Sequence, residues 1–434
     1  MFAYYLDLAW RSMRRSKVLT ALMVLAIALG IGASMTTLTV LHVLSGDPIP
    51  GRSGSIFYPQ LDPQDMDGYQ PKDPPPEQVT WIDGMNLLHA ARADHQALMT
   101  GGSVPVQPAQ ASIDPFYADA RYTTSDFFTM FGVPFSGGTG WTALDDDRKA
   151  RVAVISKALS DKLYGAQGAV GKVLRIKDVS FQVIGVLGDW HPNPHFYDLN
   201  IGNYAEDEDV YLPLSTSRDL ELAHNGSNDC WGRGGEDARH FETASCVWLQ
   251  LWVQILDPAK VAAYKQYLIH YSLEQKALGR FQRPPNVRLM NVMQWLNFMR
   301  VVPGDVRLQA WLALGFLAVC LINVVGLMLA KFLRRSPELG VRRALGASRR
   351  DIFVQLLVES GMVGLAGGAG GLLLAMIGLW LVRRQPSDYA SLAHLDMTML
   401  LATFTLALFS TLCAGLLPAW RACLVTPALQ LKSQ

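Results

Sequence analysis

The chain has 434 residues, of which 50% are hydrophobic and 17% are charged, and its formal net charge is +1. So large an apolar fraction excludes a disordered chain. The balanced charge argues against a nucleic-acid-binding protein, and the length allows more than one domain.

The apolar residues concentrate in four blocks, at residues 18–44, 308–330, 352–382 and 397–418. Each block is long enough to cross a bilayer as a helix, which takes about 20 residues. Residues 45–307, between the first and second blocks, are numerous enough to bury a core of their own. The sequence therefore predicts four transmembrane α-helices with one large domain outside the membrane, inserted between spans one and two.

Residues 1–17 precede the first block and carry apolar side chains at helical spacing. Phe2, Leu6, Trp10 and Met13 lie on one face and the basic residues on the other. This pattern predicts an amphipathic helix in the membrane interface rather than a plain extension of the first span. The first block is longer than the core of a signal peptide, about 7–15 residues, so we expect a retained anchor.

Small residues recur at four-residue spacing in two of the blocks, which favours close packing between helices. The glycines in these rows are Gly30 and Gly32 in the first block and Gly364, Gly367, Gly368 and Gly371 in the third. A phosphate-binding loop is the alternative for the third block, but no strand precedes it and no Gly-Lys-Ser/Thr follows. Whether the packing partner is another span or a second protomer stays open.

The domain at 45–307 alternates strand and helix patterns after a proline-rich start. Residues 151–155, 173–176, 181–186, 247–256 and 287–293 read as strands, and residues 157–164 and 258–278 read as helices. Strands and helices in one block predict an α+β domain.

Two cysteines in this domain, Cys230 and Cys246, are the candidate disulfide. In an oxidising compartment they would close a loop of about 17 residues, stabilising the domain by about 3 kcal/mol. The other three, Cys320, Cys413 and Cys423, lie in or beside the apolar blocks.

The segment 189–198, reading DWHPNPHFYD, offers Asp189, His191, His195 and Asp198 as metal ligands. Its two prolines prevent the helical register that places residues four apart on one face. We therefore expect no metal site and a loop with solvated histidines.

The linker at 331–351 holds seven Lys or Arg residues between 331 and 350. With the basic N-terminal segment, this excess predicts that both termini are cytoplasmic and the large domain is outside. Arg383 and Arg384, at the start of an outer loop at 383–396, argue weakly against this orientation. Residues 419–434 are then a cytoplasmic tail.

The same linker carries its own helix signals. Pro337 and Glu338 suit a first turn, and Gly346 suits an end. Apolar Leu339, Val341, Ala344 and Leu345 are interleaved with the arginines at helical spacing. A helix that docks a cytoplasmic partner explains this pattern, whereas a linker lying on anionic lipid explains only the basic residues.

The literal sequence of the linker resembles the shared signature of the MacB/FtsX-like permease family. The matching residues run from Glu338 and Gly340 to Ser348, followed by Ile352, Leu356 and Glu359. The run from Arg151 to Asp189 is similar to the family's extracytoplasmic core, and Gly415–Arg421 resembles the family's ending, where the fourth span breaks into a cytoplasmic segment. Residues 136–141 depart from the family pattern.

The resemblance implies a permease dimer, of equal or unequal protomers, above two separate ABC ATPase subunits in the bacterial inner membrane. It assigns coupling to the ATPase to one group of residues, Glu338, Gly340, Arg342, Arg343, Ala344, Leu345, Gly346 and Ala347. It gives Glu359 an ion pair near the cytoplasmic end, with an arginine of the coupling segment. A periplasmic adaptor, an outer-membrane channel and membrane lipid are further expected partners, and nucleic acid is not.

No Walker A sequence occurs, so we expect a non-catalytic subunit without cofactors, whose partner ATPase binds ATP and magnesium. The expected function is export of a drug, peptide or lipoprotein by mechanotransmission, in which ATP-driven motion rearranges the external domains. The alternative is a mechanical transmitter that activates a cell-wall hydrolase and moves no substrate. A membrane-anchored enzyme would need a catalytic constellation, and none is found in the sequence.

Overall fold

The computed structural model describes residues 2–110, 112–232, 240–385 and 397–424. The chain divides into two compact units, a helical unit formed by Met1–Ser45 with Val302–Gln434 and a soluble unit formed by Gly46–Val301. The helices are α1 (Phe2–Arg15), α2 (Lys17–Leu44), α3 (Trp81–Ala90), α4 (Asp126–Phe131), α5 (Ala143–Asp147), α6 (Lys157–Tyr164), α7 (Leu214–Asp219), α8 (Val261–Ala277), α9 (Val292–Phe298), α10 (Gly304–Arg334), α11 (Ser336–Ala344), α12 (Arg349–Val382) and α13 (Met397–Leu424).

Four of these helices, α2, α10, α12 and α13, are long and apolar enough to cross a membrane. The helices α10 and α12 extend beyond the apolar blocks at 308–330 and 352–382 because polar residues at their ends also adopt helical structure. At the start of α12, for example, the Ser348 side chain accepts a hydrogen bond from the Asp351 N–H and the Asp351 carboxylate accepts one from the Ser348 N–H. Of the predicted loop 383–396 and tail 419–434, residues 386–396 and 425–434 lie outside the described part of the chain.

The predicted break after residue 418 is wrong, because α13 continues through Pro418 to Leu424. A proline inside a helix removes one backbone hydrogen bond and crowds the preceding turn, but packing against neighbouring helices can compensate within a membrane bundle. The first six residues of the predicted tail are therefore helical.

The glycine rows lie against other spans of the same chain. A Cβ added at Gly367 would lie 2.7 Å from the Cβ of Ile27 on α2, and one added at Gly368 would lie 2.8 Å from the Cβ of Ala407 on α13. The other glycines behave alike: Gly30 faces α10, Gly32 faces α12, Gly364 faces α13 and Gly371 faces α2. Since α12 presents glycine to both α2 and α13, the backbones of the three helices approach closely.

This packing makes a matched pair of substitutions informative. We expect Gly367→Ala to destabilise the helical unit by about 1–3 kcal/mol, because the added methyl group overlaps Ile27. Gly361→Ala lies on the same helix, where an added Cβ meets no atom within 4 Å, and should be neutral or slightly stabilising. Thermal unfolding of both variants in detergent checks this, and equal midpoints would contradict it.

The soluble unit is built on a ten-stranded mixed sheet with the strand order β12-β1-β11-β2-β3-β8-β5-β7-β4, and β6 pairs with β2 and β7. The pairs β3–β8 and β5–β7 are parallel and the others are antiparallel. The strands are β1 (Ile56–Gln60), β2 (His95–Gln107), β3 (Phe116–Thr123), β4 (Phe135–Gly138), β5 (Val152–Ile155), β6 (Val173–Ile176), β7 (Val179–Leu187), β8 (Val210–Pro213), β9 (Asp229–Cys230), β10 (Cys246–Val247), β11 (Gln250–Gln254) and β12 (Arg288–Asn291).

Both faces of this sheet are buried. Along β11, Leu251 and Val253 belong to one core while Trp252 belongs to the other, because successive side chains of a strand point to opposite faces. The first core includes residues of α3, α6 and α8, and the second includes aromatic residues of α4 and α9. The predicted fold class, four membrane helices with a large α+β domain between the first and second, is confirmed.

Cys230 and Cys246 face each other across the small β9–β10 ladder and form a disulfide, with Cα atoms 4.1 Å apart. We expect peptide mapping under non-reducing conditions to recover the Cys230–Cys246 link from protein made in an oxidising compartment. Cys320, Cys413 and Cys423 should be recovered as thiols. Alkylation of both Cys230 and Cys246 without reductant would contradict the pairing.

The expectation of solvated histidines is wrong for His195, which is buried, and correct for His191, whose side chain is 74% exposed. The His195 Nε2 lies 3.5 Å from the Glu208 carboxylate, and a buried arginine, Arg121, donates to Asp198 at 2.6 Å and to Glu208 at 2.9 Å. Burial by itself raises the pKa of Glu208, but the charges of Arg121 and His195 and hydrogen bonds from His195 and Tyr197 together outweigh it and leave that pKa well below its ordinary value. Asp198 and His195 therefore belong to a buried polar cluster in the core of the domain.

Candidate functional site

The predicted coupling segment 331–351 folds as the end of α10, the short helix α11, a turn and the start of α12. Pro337 lies in the first turn of α11, where the missing N–H has no helical partner to lose. After α11, Gly346 has φ +104°, a backbone conformation that side chains with a Cβ rarely adopt. Ser348 then caps α12, so α11 is held between two long helices.

One side of α11 is anchored to the helical unit. Leu339 is 4% exposed and packs in the core of the bundle. Glu338 accepts hydrogen bonds from Arg335 at 3.4 Å and from Arg342 at 3.5 Å, and Arg15 of α1 lies 3.6 Å away. Burial raises the pKa of Glu338, but these arginines outweigh it and hold the pKa below its usual range.

Arg342 is also turned toward the bundle. Its guanidinium donates to the Gln355 side chain on α12 at 3.1 Å as well as to Glu338. Gly340, Arg343 and Ala347 are half-buried. The predicted coupling residues therefore divide into an anchoring set and an outward set.

The outward set is apolar in a basic setting. Leu345 is 83% exposed and Val341 is 58% exposed, and Ala344 and Gly346 are exposed beside them. These two large apolar side chains are exposed next to arginines. Such a combination is typical of surfaces that bind protein partners.

Glu359 lies ten residues into α12 and is buried with two cations. Its carboxylate is 2.7 Å from the Lys331 ammonium and 2.9 Å from the Arg335 guanidinium. Ser12 of α1 donates its hydroxyl to Glu359 and accepts from Arg335 at 2.6 Å. The group therefore joins α1, α10 and α12 at the foot of α11, and we call Ser12, Lys331, Arg335 and Glu359 the anchor cluster.

The arginine predicted for Glu359 corresponds to Arg335, while Lys331 and Ser12 were not predicted as its partners. Lys331 directly follows an apolar block, where a lysine is ordinarily read as a topology signal. It is 3% exposed, and its ammonium also donates to Thr20 at 3.3 Å. An acid within one apolar block and a base directly after another, both near the same membrane boundary, are the signal that could have paired them.

Removing one member of the anchor cluster should be costly. We expect Glu359→Gln to lower the free energy of unfolding by about 3 kcal/mol, since it leaves the Lys331 charge buried without a carboxylate. Adding Lys331→Met should recover part of the loss, because the uncompensated charge is then gone. Thermal unfolding of the two single variants and the double variant measures the coupling, and purely additive losses would contradict the pairing.

Comparison with known proteins matches both units. A family described as MacB-like periplasmic core domain matches residues 20–271, and a family described as FtsX-like permease C-terminal matches residues 311–427. The chain is 25% identical over 432 residues to the pyoverdine export ATP-binding/permease protein PvdT of Pseudomonas aeruginosa, covering 98% of this chain and 58% of that protein.

A second relative is the macrolide export ATP-binding/permease protein MacB of Azoarcus sp., 25% identical over 344 residues, which cover 76% of this chain and 46% of that protein. The chain thus spans about half the length of these relatives. Among solved structures, the periplasmic region of MacB from Actinobacillus actinomycetemcomitans covers 59% of this chain and 97% of that one, with 16% identity and a TM-score of 0.38.

Proposed function

The chain belongs to the MacB-like, FtsX-like family of membrane permeases, and on that premise we propose that it is the permease component of an ABC exporter, driven by an ATPase that docks on α11. The basic end of the helical unit is cytoplasmic in this proposal, because seven Lys or Arg residues lie between 331 and 350. The soluble unit is then periplasmic, and the membrane is the bacterial inner membrane.

The observation that carries the proposal is the division of α11 into two sides. Leu339, Glu338 and Arg342 fix the helix to the bundle, while Val341 and Leu345 remain uncovered. A helix that is firmly held on one side and apolar on the other suits a partner that must push or pull it. A linker lying passively on lipid has no need of the anchor.

Motion of α11 has a defined physical route into the bundle. The anchor cluster joins the foot of α11 to α1, α10 and α12, and the glycine contacts place α12 close to α2 and α13. Along the chain, α2 leads into the soluble unit at Gly46, and the soluble unit ends at Val301, shortly before α10. We infer that displacement of α11 is relayed by rigid helices to the domain outside the membrane.

In this mechanism two ATPase subunits bind ATP and magnesium beneath a dimer of permeases, and the chain itself performs no hydrolysis. We favour export over a purely mechanical transmitter because both relatives named above are exporters, one of pyoverdine and one of macrolides. A periplasmic adaptor and an outer-membrane channel would complete the route out of the cell.

The docking surface gives the direct test. We expect Leu345→Asp to reduce co-purification of the co-expressed ATPase at least tenfold, because burial of a leucine contributes about 1.5–3 kcal/mol and a buried aspartate costs more. The variant should insert and fold normally, since Leu345 is 83% exposed. Arg342→Glu is a less selective choice, as Arg342 also binds Glu338 and Gln355 within the bundle.

Leu256→Asp is the matched control, because Leu256 is a 60% exposed leucine of the soluble unit. It should leave ATPase binding unchanged. Wild-type co-purification and wild-type stimulated ATP hydrolysis by the Leu345→Asp protein would overturn the proposed docking site.

A further inference from the structure

The soluble unit contains a cavity of about 690 Å³ that none of the features described so far uses. Its walls come from α3, the start of β2, the segment before α4, and the helices α5 and α7. The volume lies within the range of small-molecule sites, roughly 300–1,000 Å³.

One wall of the cavity is apolar. Trp81 and Met85 of α3 and Leu214 of α7 line it, and the first two are only half-buried. The Trp81 ring stacks on the Trp248 ring, with centroids 6.1 Å apart and an angle of 7° between the planes. This wall is a fixed apolar surface that a flat or branched hydrocarbon body can cover.

The remaining lining is strongly acidic. Lys149 and Arg218 are its two permanent cations, and each is already paired, Lys149 with Asp219 at 3.0 Å and Arg218 with Glu242 at 2.6 Å. The other acids of the lining have no lysine or arginine partner in the part of the chain that the structure describes; these are Asp94, Asp126, Asp146 and Asp147.

Asp146 holds its negative charge in a partly desolvated position. Burial raises the pKa of Asp146 to about 6, against the opposing effect of hydrogen bonds from the Ser125 N–H at 2.8 Å and the Trp141 indole N–H at 2.9 Å. At neutral pH the carboxylate is therefore mostly ionised, and it faces a cavity with an excess of negative charge.

Gln96 is a buried polar side chain of the cavity wall. The side chain is 5% exposed, and its amide N–H donates to the Leu88 carbonyl, also in the lining, at 3.0 Å. Its Oε1 has no hydrogen-bond partner among the described residues. Buried polar atoms are ordinarily paired, so Gln96 carries an unused acceptor within the wall of the cavity.

We propose that this cavity binds a cationic amphipathic molecule, with its amine among the carboxylates and its apolar body against Trp81 and Met85. The charge of the lining excludes an anion. Among the described residues, no group of three or more His, Cys, Asp and Glu side chains is arranged to hold a metal ion, which favours an organic cation. The assignment of this cavity to the exported substrate rests on the proposed export function.

The test uses the full chain in nanodiscs, without nucleotide, and dansylcadaverine as the probe, since it joins an apolar fluorescent ring to a primary ammonium. We expect saturable binding above that of empty nanodiscs. N-acetylated dansylcadaverine keeps the ring and loses the charge, so it should bind at least tenfold more weakly. Equal binding of the two probes, or no saturable binding, would overturn the proposal.

Paired variants locate the site. The double variant Asp94→Asn, Asp147→Asn removes two charges from the lining. Asparagine at position 94 keeps an oxygen that can accept the Leu256 N–H. We expect the affinity for the probe to fall about tenfold, a few-fold for each charge. Asp114→Asn with Asp178→Asn removes two exposed charges elsewhere in the same unit and should change nothing. Equal loss in both pairs would show a general charge effect and overturn the site.

These measurements need no ATPase, and the docking test of Leu345 needs no substrate. Failure of cation binding alone would leave the docking proposal standing with a substrate of another class. Failure of docking alone would leave a cation site whose role is not export.

Discussion

The organisation of the helical unit depends on one buried carboxylate. Glu359 is 1% exposed within an apolar helix, where an ionised acid without a partner would cost several kcal/mol. Two cations and one hydroxyl satisfy it, and they come from the end of α10, the residue before α11 and the amphipathic helix α1. Since all of these groups must converge for the charge to be tolerated, the carboxylate fixes where α1 and α11 attach to the spans.

This constraint gives α11 its mechanical character. Its first residues cannot slide without separating Arg335 from Glu359 and Glu338, whereas Leu345, directly after its last residue, is mostly exposed. In the proposed mechanism, a short helix that is fixed at its first residues and exposed at its end transmits the motion of an ATPase bound at that end. In the same proposal, the glycine contacts of α12 pass this motion to the neighbouring helices, because closely packed helices move together more readily than loosely packed ones.

Local sequence patterns predicted the long apolar helices and part of the soluble unit, since helix and strand signals act over a few residues. The helix α6 begins after Ser156, whose side chain accepts the Leu159 N–H, and it was predicted at 157–164. Contacts between residues far apart in the sequence were harder to predict. Arg121 and Glu208 are 87 residues apart, so no local pattern marks them as partners, and the burial of His195 beside Glu208 and Tyr197 was not predicted. Likewise, the glycine spacing in α12 showed that a close contact exists, but the identity of the facing helix depends on the fold.

The net charge of the chain is near zero, but the positive and negative residues are distributed unevenly. The chain has 38 Lys and Arg residues against 37 Asp and Glu residues, which is enough to pair almost every charge. Even so, seven cations gather between 331 and 350, and four acids of the soluble cavity lie without a lysine or arginine partner among the described residues. The fully buried Arg121, held by two acids, shows that this soluble unit does pair charges where folding requires it. The unpaired acids of the cavity lie next to an apolar wall, and the exposed leucine after α11 lies next to arginines. Each surface combines one sign of charge with apolar side chains. Each therefore suits a partner that carries the opposite charge and an apolar surface of its own.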